Sequence, residues 1–466
     1  MRKWLSLILA LVMVFGVTGL ASAQDATATP TPLPPREFTG ALAEFAGESD
    51  NLAGVDPSGQ TITYWHQYNN AIQLSLINGL INAFNTTNPY GITVVGTNQG
   101  NYTDIRTLMN NSIISGDLPN IVAGYPNDAL SYALDDTVVD LAPYYSDAKW
   151  GFDEASAADL NQVAMEAWLF DGVRLGIPNQ LSGQVMLTNR GMMEALGFPA
   201  DAPITLDQFS EVACAAVNSD LTGLEGAEVQ GFPITANSSE LESLVAGIGG
   251  SIWVDGQWNF TNDEVIRVLQ TYKDLYDQGC GYIPAEAFGN TADWARALNP
   301  MAFTSTAGIA PTLGTVAEAG DLVTDWMVHP APVNAEGDTP LIQLFTPGII
   351  VVSGTPEQQL ASWLFIRFFS QPEIQAQWSQ ALSLFPLSSA AAAQIDPESG
   401  VPEFMEMVNR VASGEVGVYV SPQNLSYSAV RDIVATGIAD VTSNGMDVAE
   451  VAQRMTDDAN AVLAEG

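Results

Sequence analysis

Two hydrophobic periods alternate along the chain from residue 60 onward. Ile62-Thr-Tyr-Trp65 reads as a short strand that runs into a polar turn, His66-Gln-Tyr-Asn-Asn70. Ile72, Leu76, Ile77, Leu80, Ile81 and Phe84 then recur at helical spacing, and Asn88-Pro89 stops that helix. Ile92–Val95 predicts a second strand, and residues 101–114 a helix with Ile105, Leu108, Met109 and Ile113 in register. A third strand is predicted at 120–123. Strands and helices in this alternation specify parallel β-α-β units. Further on, Leu175–Pro178 and Gln184–Thr188 flank a polar knot, Asn179-Gln-Leu-Ser-Gly183. Three helices should open with capping boxes at Thr205-Leu-Asp-Gln208, Thr261-Asn-Asp-Glu264 and Thr355-Pro-Glu-Gln358. Met301–Thr304, Trp326–Ala331 and Gly348–Val352 predict strands, and residues 447–464 a closing helix. The fold class is α/β, and 466 residues supply core for at least two domains.

The start of the chain is patterned differently. Arg2-Lys3, an apolar run from Trp4 to Leu20 and Ala21-Ser-Ala23 have the order of a secretory signal over residues 1–23. No cysteine follows, so anchoring through a lipidated terminal cysteine is not expected. Residues 24–59 are rich first in Thr and Pro, then in Gly, Asp and Ser, and predict a disordered linker. The expected product is exported, to the periplasm or the outer face of the cytoplasmic membrane.

Composition narrows the chemistry. With 53 acidic against 14 basic residues, the formal net charge is −39, so nucleic acids and anionic lipid surfaces are poor partners. The two cysteines, Cys214 and Cys280, read as a disulfide in an exported chain rather than as part of a metal site. His66 and His329 are the only histidines, too few for a histidine-based metal site or catalytic triad. Ser146-Asp-Ala-Lys149 and Ser49-Asp-Asn51 match fragments of a β-lactamase signature, but no K-T-G accompanies them, and both are read as chance. A monomer without cofactor or metal is expected. So many carboxylates guarantee some pair at glycosidase spacing, so a secreted glycan hydrolase stays open beside a binding protein and a surface interaction protein.

Candidate binding residues collect in polar turns at strand ends, where ligands of α/β sheets sit. The first turn offers Trp65, Gln67 and Asn69, a ring with neutral amides that suits a polyhydroxylated guest. Tyr102, Tyr125, Trp253 and Phe345 also fall at strand ends or polar turns, and Asn179 lies in the polar knot. Aromatic faces cover sugar C–H surfaces, and amides and guanidinium groups fork onto hydroxyls. Arg431 is notable because arginines are scarce. Each aromatic taken alone is equally well a core residue, and Arg431 equally well a surface or interlobe ion pair.

Several short motifs share an order and spacing: Tyr64-Trp-His66, Phe84 to Asn88-Pro89, Gly100-Asn-Tyr102, Ser115-Gly-Asp-Leu-Pro119, Gly176-Ile-Pro178 with Leu187-Thr-Asn189, and Thr304-Ser-Thr-Ala-Gly308. In these the chain resembles the extracellular solute-binding proteins of carbohydrate ABC importers, in particular the glycerol-3-phosphate- and maltose-binding branch. The resemblance implies a two-lobed periplasmic-binding-protein fold of type II with a ligand cleft between hinged lobes. It assigns residues 60–180 and 301–346 to an N-terminal lobe, and 181–300 and 347–466 to a C-terminal lobe. It implies that Tyr102, Ser182, Ser305, Arg431 and the backbone from Thr346 to Gly348 meet the ligand. Arg431 and Ser182 would close from one lobe, and Trp65, Tyr102 and Ser305 from the other. It further implies membrane-embedded permease subunits as partners. Pro126 and Leu384 depart from the glycerol-phosphate pattern, which leaves the ligand at the level of a sugar or polyol.

Overall fold

In a computed structural model of the chain, the described residues are 33–465 except 287–288, 324, 397 and 399. The expected secretory signal and the first part of the linker lie outside them. The chain first lays down strand β1 (Thr61–His66), helix α1 (Ala71–Thr87), β2 (Thr93–Asn98), α2 (Tyr102–Ser115), β3 (Ile121–Gly124) and α3 (Pro126–Ala133). Local chemistry explains the boundaries. The Asn70 side chain accepts the Gln73 N–H to start α1, and Asn101 and Asp104 form a reciprocal capping box on α2. Gly116, at φ 79°, ends α2 in the left-handed region that glycine adopts without strain. The apolar face of α1 is buried, and Phe84 meets Phe365 edge to face at 5.2 Å.

After the short strand β4 (Ile177–Pro178) the chain crosses to a second sheet. Its hub is β5 (Ser182–Asn189), buried along its whole length because both faces are covered. Helices α4 (Leu206–Val217), α5 (Ser238–Gly247) and α6 (Asp263–Asp277) follow, then β6 (Met301–Ser305), β7 (Trp326–His329) and β8 (Leu341–Phe345). All three of these strands pair antiparallel with β5. The chain then returns to the first sheet as β9 (Gly348–Val351), followed by α7 (Pro356–Phe369) and α8 (Pro372–Leu382). A third crossing leads to β10 (Gly417–Val420), α9 (Tyr427–Val441) and α10 (Val448–Glu465). The first sheet has the order β2-β1-β3-β9-β4, and the second β6-β5-β8-β10 with β7 also on β5.

This topology corrects the expected lobe boundaries. Residues 301–346 carry β6, β7 and β8, which belong to the second sheet with β5, so Ser305 lies in the second lobe. Residues 348–382, expected in the C-terminal lobe, supply β9 to the interior of the first sheet, α7 against that sheet and α8 against α7. Periodicity identifies each strand but not the sheet it joins, because that choice is made by partners far away in sequence.

The linker is a second correction. Residues 33–59 form no helix or strand, yet they are strapped to the first lobe. The Arg36 N–H donates to the Ser75 carbonyl at 3.0 Å, and the Phe45 N–H to the Tyr90 hydroxyl at 2.9 Å. The Asp147 carboxylate accepts from the Ser49 hydroxyl and the Asn51 N–H. Leu42 is buried, and the Phe38 ring meets Trp378 at 6.4 Å. A few well-spaced apolar anchors, with backbone groups satisfied by the lobe, order a segment whose average composition reads as disordered.

In the second lobe Cys214 and Cys280 form a disulfide across a separation of 66 residues, tying the end of α4 to the chain leaving α6. The capping boxes at Thr205 and Thr355 form as expected, but α6 is capped by Asn262 rather than Thr261. Asn262 is one residue nearer the helix, and its side chain accepts the Val265 N–H at 2.9 Å.

Candidate functional site

The first lobe presents rings. Tyr64, His66 and Tyr68 follow one another at the end of β1, with the His66 ring 5.5 Å from each tyrosine. Burial holds the His66 pKa down to about 4, so the ring is neutral. Tyr125 caps α3 with its backbone while Asp128 accepts its N–H at 3.0 Å. That cap fixes Tyr125 edge-on to Tyr102, the first residue of α2, with ring centroids 4.8 Å apart. Burial pushes Tyr125 up to about 12, opposed by the Arg431 guanidinium from the second lobe. Burial also raises the Asp128 carboxyl, with the Tyr125 N–H and then Arg106 opposing it.

The crossings are held by polar contacts. Asn179 Nδ2 donates to the Tyr68 hydroxyl at 3.2 Å, and Tyr68 donates to Gln180 Oε1 at 3.3 Å. The Asn179 N–H reaches the Pro347 carbonyl at 3.3 Å, joining the first two crossings. Trp168 Nε1 donates to the Thr346 carbonyl at 3.0 Å. Gly348 has no room for a side chain, since a Cβ would meet the Ile177 carbonyl and the Trp168 ring.

The second lobe presents a polar network around a buried carboxylate. Glu242 Oε2 accepts from Gln343 Nε2 at 3.0 Å, from Ser421 Oγ at 3.0 Å and from the Tyr427 hydroxyl at 3.3 Å. Burial raises its pKa to about 7, and the Ser421 hydrogen bond and Arg431 charge act against the rise. Arg431 donates to Ser239 Oγ at 2.9 Å and lies 5.8 Å from the centre of the Tyr427 ring. Just before α9, Gln423 Oε1 and Asn424 Nδ2 are buried without a hydrogen-bond partner, as is Gln67 Oε1 on the first lobe. Buried amide atoms left without a partner are uncommon in folded proteins.

The predicted residues therefore divide. Tyr102 and Tyr125 pair on the first lobe, and Asn127, two residues after Tyr125, donates at 2.8 Å to Ser428 Oγ on α9, the helix that carries Arg431, where the lobes face one another. Trp65, half-buried, packs on the first core beside Gln67, whereas Asn69 is exposed in the turn entering α1. Asn179, Thr346 and Gly348 lie at the crossings between the two sheets. Ser182 begins β5 opposite Phe345 at a crossing. Ser305 caps a short 3-10 turn, accepting the Ala307 N–H at 3.3 Å. Trp253, in a small hairpin, meets Trp258 at 4.7 Å, and Trp258 in turn stacks near Tyr427 at 6.1 Å. Sequence reasoning missed Glu242, Gln343, Ser421, Gln423 and Tyr427. Only the run Asn424-Leu-Ser-Tyr427 beside Arg431 hinted at them. Among the described residues no group of three or more His, Cys, Asp or Glu side chains could hold a metal ion.

A sequence profile of the family described as bacterial extracellular solute-binding protein matches residues 79–403. The chain belongs to that family, which captures solutes for ABC importers rather than transforming them. No curated protein matches the sequence. Among solved structures, the chain is similar to the GacH receptor of Streptomyces glaucescens, solved unliganded and with acarbose, at TM-score 0.71 and 16% identity over 87% of this chain and 99% of that one. It is also similar to the cyclic α-maltosyl-1,6-maltose binding protein of Arthrobacter globiformis, at TM-score 0.68 and 18% identity over 87% and 99%. UgpB of Mycobacterium tuberculosis, in complex with glycerophosphocholine, gives TM-score 0.70 and 16% identity over 88% and 99%. These likenesses bear out the two-lobed α/β fold. Nothing in the comparisons supports the glycan-hydrolase alternative. Among the described residues no helix is long and apolar enough to cross a membrane.

Proposed function

We propose that the protein captures a sugar, oligosaccharide or polyol between its lobes and hands it to the membrane-embedded permease of an ABC importer. The observation that carries this reading is the Tyr102–Tyr125 pair on one lobe, brought against the helix of Arg431 on the other by the Asn127–Ser428 hydrogen bond. Rings supply stacking surface for sugar C–H faces, while the guanidinium and the amide atoms without a partner, Gln67 Oε1, Gln423 Oε1 and Asn424 Nδ2, are suited to hydroxyls. A guest touching both lobes binds the closed arrangement better than the open one, and so shifts the population toward closure. Neighbouring structures in complex with acarbose and with glycerophosphocholine, and one of a protein named for binding cyclic α-maltosyl-1,6-maltose, set the range of guests to try.

The test is a thermal-shift and calorimetric screen of maltooligosaccharides, monosaccharides, polyols and glycerophosphodiesters. A guest present at about a hundred times its dissociation constant adds about 2.7 kcal/mol of stability, which such a screen detects. A bound guest whose affinity is unchanged in both Tyr102→Ala and Arg431→Ala would remove these residues from the site.

A further inference from the structure

We propose that the strap at residues 33–59 acts through helix α8 as a clamp that fixes residues 179–181, the first crossing between the sheets. The side chains of α8 hold the strap by its backbone. Gln377 Oε1 accepts the Thr39 N–H at 3.0 Å, and Gln377 Nε2 donates to the Thr39 carbonyl at 2.9 Å. One amide thus satisfies both backbone groups of one residue, as a neighbouring strand would. Gln371, at the start of α8, makes no cap bond and instead donates from Nε2 to the Ala41 carbonyl at 3.2 Å. Between these contacts Gly40 passes so close to the helix that a Cβ would lie 2.7 Å from Ile374 Cδ1, and Ile374 is fully buried.

The same helix and the chain leaving it grip the crossing one residue after another. Gln375 Nε2 donates to the Asn179 carbonyl at 3.1 Å, and Trp378 Nε1 donates to Gln180 Oε1 at 3.3 Å. Beyond α8 the Phe385 N–H donates to the Leu181 carbonyl at 2.8 Å. Trp378 belongs to both halves of the clamp. Its ring meets Phe38 of the strap at 6.4 Å and Tyr68 at 5.1 Å, and Tyr68 itself donates to Gln180 Oε1.

The crossing depends on this grip because regular structure does little for it. Asn179 and Gln180 are in neither helix nor strand, and Leu181 makes a single bridge, to Phe385. What keeps α8 in place therefore also keeps residues 179–181 in place, and with them the start of β5 at Ser182. Phe38, Thr39 and Gln377 are positioning residues. They touch neither the tyrosine pair nor Arg431, and they act on how often the crossing opens. Opening of this kind is a local equilibrium that amide hydrogen exchange reads directly. Loss of the two hydrogen bonds between Gln377 and Thr39 should make it about tenfold more frequent.

Hydrogen–deuterium exchange of the full-length protein, read by mass spectrometry, tests the clamp with two variants. Gln377→Ala removes both bonds to Thr39 from the α8 side. Gly40→Val drives a side chain against Ile374 and changes the strap alone, so any effect on the crossing must travel through α8. In both, exchange should quicken in residues 36–45 and also in 177–184 and 381–387, while β3, in the interior of the same sheet, exchanges as in the wild type. Quickening confined to residues 36–45 would overturn the clamp, because the strap would then be only an attached segment. Equal quickening in β3 would overturn it as well, since the variants would then loosen the whole lobe, and so would unchanged exchange throughout. No sugar enters the experiment, so failure to find a carbohydrate guest and failure of the clamp are separate outcomes.

Discussion

The two lobes face one another but furnish their facing surfaces differently. The first offers the Tyr102–Tyr125 ring pair, fixed by the cap of α3, with the rings of Tyr64 and Tyr68 buried in the core. The second offers hydrogen-bonding groups gathered round Glu242, with Arg431 at their edge. Rings give a surface that tolerates many guests, whereas a closed set of donors and acceptors is demanding about geometry. Affinity should therefore depend more on the first lobe and discrimination more on the second. The lobes also differ in how they are braced, by a strap in the first and by a disulfide in the second.

Perturbing each brace separates the lobes, and the strap should matter most. A protein beginning at Gln60 loses the buried Leu42 side chain, the Phe38 and Phe45 contacts and the strap hydrogen bonds, so the first lobe should lose about 5 kcal/mol or more. Calorimetry should show an early transition that the full-length chain lacks. Replacing both Cys214 and Cys280 by Ser should cost the second lobe about 4 kcal/mol in the chain-entropy model. Denaturant titration followed by tryptophan fluorescence would measure that loss.

The network of the second lobe gives a pH signature. Burial raises the Glu242 pKa from 4.5 to about 7, so the native chain holds this proton more tightly than the unfolded chain does. The stabilisation is fully present below about 4.5 and is lost as pH rises through about 7. That amounts to as much as about 3 kcal/mol, and Glu240, raised to about 7 by burial as well, adds in the same direction. Melting curves between these pH values should show stability falling as pH rises, with a shallower fall in Glu242→Gln. An identical slope in that variant would move the proton elsewhere. The smallest effect is expected on binding: Tyr102→Ala should weaken a bound sugar about tenfold by calorimetry, with little change in stability.

How legible this was in the sequence depends on the range of each interaction. Helix α1, the capping boxes at Thr205 and Thr355 and the first three strands follow from neighbours within a few residues, so they could be read directly. Asn262 displaced Thr261 as a cap because two adjacent residues competed for one role, and only the chain path settles that. Membership of a sheet is not local, which is why β6 to β9 were assigned to the wrong lobes. Tyr102, Tyr125 and Arg431 could be singled out as rings or a scarce cation in polar turns. Glu242, Gln343 and Ser428 could not, because each is an ordinary polar residue until partners about a hundred or more residues away surround it.

The place of β9 bears on how the molecule is made. The strand lies between β3 and β4, so the first sheet keeps a gap in its middle until residue 351 has left the ribosome. By residue 345 the other sheet already has β5, β6, β7 and β8. The sheet begun first is thus still open when the other has four of its five strands, and while the gap persists its exposed strand edges remain open to whatever factor escorts the nascent polypeptide.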